Sequence, residues 1–262
     1  VKPTRRVWIP KPGTEEKRPL GIPTMYDRAL QALVKLALEP EWEAHFEPNS
    51  YGFRPGRNSH DAIGAIFTII AQKARYVLDA DISKCFDRIC HKALLKKLNT
   101  FPTIRRQVRA WLKAGVMDNG VFSKTSEGTP QGGVISPLLA NIALHGMENR
   151  INQAFPQRKI YEKSKYIGVT SSAQLIRYAD DFVILHEDIT VVQRCQQIIT
   201  EWLKEIGLEL KPSKTRLVHT FHKYEGQQPG FDFLGFNIRQ YPVGKHSSGK
   251  NNGTLLGFKT LI

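Results

Sequence analysis

Apolar positions along the chain change their spacing several times, and each change marks an element. "RRVWIPKPGTEEKRPLGIP" reads as two extended runs around a Pro-Gly turn. Thr24 with Asp27 has the form of a capping box opening a helix, "MYDRALQALVKLAL", with apolar positions at Leu30, Leu33, Val34 and Leu38. Pro40 is expected to end or bend it. "NSYGFRPGRNS" is a polar loop, and Ser59 is expected to cap a helix reaching about Lys73. "RYVLDADI" reads as a strand, followed by two basic helices near His91–Leu98 and Thr103–Ala114. "VMDNGVFSKTSEG" predicts a hairpin around Asn-Gly. "SPLLANIALHGMENRI" predicts one helix, with Ser136 as cap and Pro137 in its first turn. "QRKIYEKSKYIGVTSSA" is a loop or an irregular hairpin. In "DITVVQRCQQIITEWLKEIG", Val191, Cys195, Ile198, Ile199, Trp202 and Ile206 share a helical face that Gly207 stops. Short strands follow at "TRLVHTF" and "FDFLGFNIR", then a Gly-, Lys- and Asn-rich segment. Helices mixed with mostly antiparallel hairpins, without a repeat or a low-complexity linker, place the chain in the α+β class.

Composition narrows the partners more than the fold. The 262 residues suit one large domain or two modest ones, and 41% hydrophobic with 24% charged residues is ordinary for a soluble globular chain. The richest apolar stretch, "AIGAIFTIIA", is too short to span a bilayer. No secretory signal opens the chain, and a start at Val1 predicts a processed or truncated N-terminus. The formal charge of +14 favours a polyanionic partner, although a basic excess also serves solubility. It is concentrated: Lys84 to Lys113 holds nine Lys or Arg and one acid, Asp87, and Lys211 to Ile262 holds eight against two. Cys85, Cys90 and Cys195 lack C-x-x-C spacing and fit a reducing compartment as buried small groups, and the eight His residues form no zinc pattern.

The chemistry is in the acids. "LIRYADDFVIL" sets Asp180 beside Asp181 between two β-prone runs. Adjacent strand residues point to opposite faces, so "ADD" is expected to be the bend of a hairpin, with both acids at its tip. Alone, such a pair reads first as a solvated turn. A second cluster, "VLDADISKCFDRI", places Asp79 and Asp81 on a strand, Asp81 at its end. If that strand lies beside the hairpin, Asp81 meets Asp180, and carboxylates from neighbouring strands can hold two metal ions for phosphoryl transfer. The basic segments would then line a nucleic-acid channel.

"DADISKCFD", "GTPQGGVISPLLANI", "YADD", "GLELKPSKTRLV" and "FLGF" stand in an order that resembles reverse transcriptases of the group II intron type, also called maturases. "RRVWIPKPGTEEKRPLGIPT" and "SYGFRPGRNSHDAI" resemble that family's fingers blocks, so the likeness covers nearly the whole chain. It implies a right-hand polymerase fold: fingers at 1–75, with part of 88–125 contributing, and a palm at 76–262 whose antiparallel sheet packs on helices. It implies catalytic and metal-holding roles for Asp81, Asp180 and Asp181, a metal near the carbonyl of Ile82, and two Mg²⁺ ions, with Mn²⁺ as a substitute. Asp79 and Asp87 are not family ligands and read as structural acids.

The same resemblance implies that Phe86 excludes a 2′-hydroxyl, that Lys11 and Arg18 grip the triphosphate, and that Gln131 contacts nucleotide and template. Each also reads as an ordinary core, hairpin or turn residue. Lys214 reads as a proton donor to pyrophosphate or as a surface lysine. Arg54 and Arg57 would track template phosphates, and "FLGF" resembles the primer grip. The implied partners are an intron RNA template, a DNA primer and dNTPs, without a membrane and with room for a homodimer, in bacterial cytoplasm or an organellar matrix. No long helical pattern follows Gly244, so a fragment without thumb, DNA-binding or endonuclease domains is expected. The rivals are a maturase module that binds intron RNA without catalysis, an RNA-copying RNA polymerase, and retron, diversity-generating or CRISPR-linked reverse transcriptases.

Overall fold

Caps and turn residues decide where the elements begin and end. The computed structural model describes residues 1–10, 13, 15–156, 159–162, 165–169, 171–244, 246–251 and 254–262. β1 (Thr4–Pro10) and β2 (Lys17–Ile22) pair antiparallel, as the two extended runs predict. Thr24 caps α1 (Met25–His45): its hydroxyl accepts the Asp27 N–H and donates to the Asp27 carboxylate. The helix does not stop at Pro40. Pro40 and Leu36, whose carbonyl loses its partner, are both exposed, so solvent meets that carbonyl and the helix runs on to Phe46. The buried face keeps Leu38, with Leu30 and Val34 half-buried, but departs from expectation at one position. Leu33 is exposed, whereas Asp27, Gln31, Leu38 and Trp42 face inward. The polar pair is satisfied there, Asp27 by the Trp111 indole N–H at 3.1 Å and Gln31 by the Val134 N–H at 2.8 Å.

α2 (Ser59–Ile70) is capped one residue earlier than expected, by Asn58 in a full capping box with Asp61. β3 (Tyr76–Asp81) follows, then a short α3 (Cys85–Arg88) that no sequence pattern announces. α4 (His91–Leu98) and α5 (Pro102–Leu112) are the two basic helices. β4 (Val116–Asp118) and β5 (Val121–Ser123) close on Asn119-Gly120, both at positive φ, the pattern of a type I′ turn. Where one helix was expected there are two, α6 (Ser136–Leu144) and α7 (Met147–Ala154). Ile135, not Ser136, is the cap residue of α6. The break falls at Gly146, with φ +104°, and the Glu47 carboxylate accepts the N–H groups of Gly146 and Asn149 at the start of α7.

β6 (Lys159–Glu162) and β7 (Lys165–Val169) form an irregular hairpin whose register shifts at Ile160/Tyr161. β8 (Gln174–Tyr178), β9 (Asp181–His186) and α8 (Ile189–Glu205) follow. The core face of α8 is displaced by one residue at each end, Val192 and Leu203 being buried where Val191 and Trp202 were expected. Gly207 ends the helix in a Schellman motif, its N–H reaching the Lys204 carbonyl and that of Leu208 reaching Leu203. A 3₁₀ turn (Pro212–Lys214), β10 (Arg216–His219), β11 (Phe231–Phe233), β12 (Phe236–Pro242), β13 (Lys250–Asn251), β14 (Thr254–Leu255) and β15 (Phe258–Leu261) complete the chain.

The elements gather into two compact units. One comprises Val1–Phe46, Ser83–His145 and Leu203–Glu209, and the other Glu47–Ile82, Gly146–Trp202 and Leu210–Ile262. The first contains a four-stranded sheet in the order β2-β1-β4-β5, whose β1–β4 pair is parallel. The second contains the antiparallel sheet β10-β3-β9-β8 and the smaller sheet β11-β12-β15. In the second unit α2 packs on β8, and Ile63, Ile66 and Ile70 join Val77, Ile176, Val183, Leu185, Val218 and Phe231 in one apolar core. β9 is central in its sheet, so its residues after Asp181 are buried on both faces. Among the described residues no helix is long and apolar enough to cross a membrane.

Candidate active site

The β8–β9 hairpin turns through Ala179 and Asp180, with Tyr178 opposite Asp181. Ala179 has φ +57° and Asp180 does not share the positive φ, the pattern of a type II′ turn. Asp181 is therefore not at the tip. It is the first residue of β9, directly opposite Asp81 at the end of β3. Asp81 and Asp181 thus form a cross-strand pair, at a Cβ separation of about 5 Å for such pairs. Asp180 stays in contact through its backbone, its carbonyl accepting the Ile82 N–H at 3.2 Å.

The second unit surrounds these acids with charge. Lys214 Nζ donates to Asp81 Oδ2 at 2.7 Å, and the Lys211 N–H donates to the Asp81 carbonyl at 2.8 Å. Two residues back on β3, Asp79 accepts from Arg216 Nε at 2.8 Å across the β3–β10 pair. Asp79, Asp81, Asp181, Lys214, Arg216 and Asp232 line an open cleft of about 360 Å³. Burial, then the charges of Asp180 and Asp81, push the Asp181 carboxyl up to about 6. Burial also raises Asp79 against the pull of Arg216. The hydrogen bond to Asp81, and the neighbouring acids after it, hold the Lys214 ammonium above its ordinary range.

A buried guanidinium supports the turn. Arg177 is 0% exposed; its Nη1 donates to the Ala179 carbonyl at 3.0 Å and its Nη2 to Ser50 Oγ at 2.6 Å. The backbone of 49–51 runs beside it, with the Tyr51 N–H on the Arg177 carbonyl and the Arg177 N–H on the Asn49 carbonyl, each at 2.9 Å. A Cβ at Gly52 would overlap the Ala179 amide nitrogen, so glycine permits this close approach. Sequence reasoning missed Arg177, Ser50, Gly52, Arg216 and Asp232. One signal was present: an arginine inside the apolar strand "QLIRY", which a buried strand tolerates only with partners.

The other expected site residues are distributed over both units. Ile82 is buried, and Phe86 is half-buried in α3 of the first unit. Gln131, also of the first unit, has its side-chain N–H on both oxygens of Asp87 at 3.2 Å, and its backbone carbonyl accepts the Gly21 N–H at 2.6 Å. Burial raises the Asp87 carboxyl. Arg18 is exposed on β2, and Lys11 lies outside the described residues. Arg54 differs from expectation. It is buried, and its Nη1 donates to the carbonyls of Glu47 and Ser50, which makes it a brace of the loop rather than an exposed phosphate contact. Arg57 lies over the Tyr51 ring and donates to the Pro48 carbonyl.

Among the described residues no group of three or more His, Cys, Asp or Glu is gathered closely enough to hold a metal ion. The donor chemistry nevertheless fits a hard cation. The oxygens are carboxylates, Asp181 being raised by burial first and by the charges of Asp180 and Asp81 after it, and Mg²⁺ takes only one or two protein carboxylates beside water and phosphate oxygens.

A family model described as reverse transcriptase (RNA-dependent DNA polymerase) matches residues 9–238. Protein YkfC of Escherichia coli K12 is 33% identical over 90% of this chain and 66% of its own length. The group II intron-encoded protein LtrA of Lactococcus lactis subsp. cremoris is 31% identical over the whole of this chain and 51% of its own length. The chain thus spans about half to two thirds of the length of these two relatives. Telomerase from Candida tropicalis, solved in complex with a TWJ fragment of telomeric RNA, superposes with a TM-score of 0.68 at 14% identity, over 91% of this chain and 43% of that one, a likeness of fold. The chain belongs to the reverse transcriptase (RNA-dependent DNA polymerase) family, on its group II intron-encoded, maturase side.

Proposed function

We propose that the chain is the polymerising part of an RNA-directed DNA polymerase acting in group II intron mobility and splicing, copying intron RNA from a DNA primer with dNTPs. The observation that carries this reading is the register of β3 against β9, which sets Asp81 opposite Asp181 in an open, cation-flanked cleft. In this reading the fingers are 1–75 with part of 88–125, and the palm is 76–262. Asp81, Asp180 and Asp181, with the Ile82 carbonyl, would hold two Mg²⁺ ions, for which Mn²⁺ can substitute. Bound there, such ions would acidify the primer 3′-hydroxyl and offset charge on the leaving pyrophosphate.

The chain's own groups do the rest. The 3′-oxygen bonds to the α-phosphorus as the bridge to the β-phosphate breaks. Lys214, released from Asp81, gives its proton to the departing pyrophosphate; the hydroxyl proton leaves to solvent. Lys11 and Arg18 orient the triphosphate. Gln131, freed from Asp87, meets the nucleotide, and Arg57 meets template phosphate. Phe86 rejects ribonucleotides by contact.

Primer extension on an RNA template with Mg²⁺ tests the reading. The unsubstituted chain extends with dNTPs, Asp180→Asn loses nearly all extension, and Phe86→Ala raises the rNTP-to-dNTP incorporation ratio. Equal extension by Asp180→Asn and the unsubstituted chain would overturn this reading of the acids, and extension by neither would favour the alternative, an intron RNA-binding maturase module without catalysis.

A further inference from the structure

α4 and α5 are joined by the three residues 99–101 and pack on one another within the first unit. Their inward faces are apolar, with Leu94, Leu95 and Leu98 on one helix and Val108, Trp111 and Leu112 on the other, all buried. The outward faces are cationic. Lys92 and Lys96 stand four apart on α4. Arg105 and Arg109 continue the same spacing along α5 and Lys113 follows at its C-cap, with Arg106 beside them, and all six are exposed. Among the described residues none of the six has an ion-pair partner. No acid occurs from residue 88 to 117, so neither helix carries one of its own to pair with them. At the junction Phe101 is 76% exposed, although an apolar ring gains by burial.

Six unpartnered cations beside an exposed ring match one ligand chemistry: a phosphodiester backbone with an unpaired base to stack. We propose that the outer face of the α4–α5 pair is a docking surface for structured RNA, the cations meeting phosphates and Phe101 stacking a nucleotide from a loop or bulge. The proposal rests on the family reading but assigns this face to holding RNA rather than to the acid cleft of the second unit. An amphipathic basic helix also suits an anionic bilayer, but here the apolar stripes of both helices are already buried, leaving one ring to insert.

The test measures binding without dNTPs, for the unsubstituted chain, Lys92→Glu/Lys96→Glu, Arg105→Glu/Arg109→Glu and Phe101→Ala. The probes are a labelled RNA hairpin with a single-stranded loop, a blunt RNA duplex, and phosphatidylcholine–phosphatidylserine vesicles. Each charge-reversed pair should weaken hairpin binding roughly 10-fold at 0.1 M salt and lower the slope of log affinity against log salt by about 2. Phe101→Ala should weaken the hairpin roughly 10-fold and leave the duplex unchanged. Cross-linking of a 4-thiouridine-labelled loop to the unsubstituted chain should map to Phe101, a readout that does not depend on how any variant folds. Unchanged affinity in both charge-reversed pairs, tighter binding to vesicles than to RNA, or cross-links confined elsewhere would overturn the proposal. Asp180→Asn separates the two readings: it should bind the hairpin normally while failing to extend a primer, so loss of extension cannot be mistaken for loss of docking.

Discussion

Among single side chains, Asp181 shows most directly how this cleft sets stability against chemistry. Its folded-state carboxyl titrates at about 6 instead of 3.8, so the folded chain holds that proton longer than the unfolded chain does. The stability this contributes is present below about pH 3.8 and is lost as pH rises through 6. Asp181→Asn should therefore melt higher than the unsubstituted chain in metal-free buffer at pH 8, by about 1–3 kcal/mol, with the gain gone near pH 4. Thermal denaturation at the two pH values checks this, and saturating Mg²⁺ should shrink the difference.

Arg177 makes the complementary prediction. Lysine keeps the charge but cannot fork to both the Ala179 carbonyl and Ser50 Oγ. Arg177→Lys should cost about 2 kcal/mol in a urea titration. It should also lower kcat roughly tenfold, with the KM for dNTP little changed, because the turn carrying the acids loosens. The acids were legible in sequence because carboxylates between apolar runs are costly without a role. Their pairing was not: whether Asp180 or Asp181 faces Asp81 depends on a one-residue register, which periodicity alone does not decide.

Elements were legible where a local rule decides them. α4 has the bounds its pattern gives, and Asn119-Gly120 makes the turn that its dipeptide demands. They were illegible where a distant group decides. Nothing near Gly146 in sequence announces that Glu47 will satisfy the start of α7, and Pro40 sits inside α1 because its side of the helix is wet. The end of α8 falls between these cases. Gly207 has φ +79°, and a Cβ there would press on the Arg88 carbonyl at 3.0 Å, so Gly207→Ala should cost about 1–2 kcal/mol. Chemical denaturation measures it. A neutral result would mean that the Schellman close is not held by the left-handed residue.

For the molecule as a whole, two compact units arise from interleaved segments of one chain, a topology that composition without a linker does not reveal. The likeness of motifs reached further than periodicity, because it carries the order of blocks rather than the local spacing. β3 and the β8–β9 hairpin bring their acids to one cleft, the place proposed for cations that a nucleotide completes. Crystals of the chain with primer–template, a non-hydrolysable dNTP and Mn²⁺, measured at the manganese absorption edge, address that convergence most directly. Anomalous peaks are expected between Asp81 and the Asp180–Asp181 pair, and their loss is expected in Asp81→Asn. Manganese bound elsewhere, with the nucleotide seated and these carboxylates free of it, would contradict this expectation.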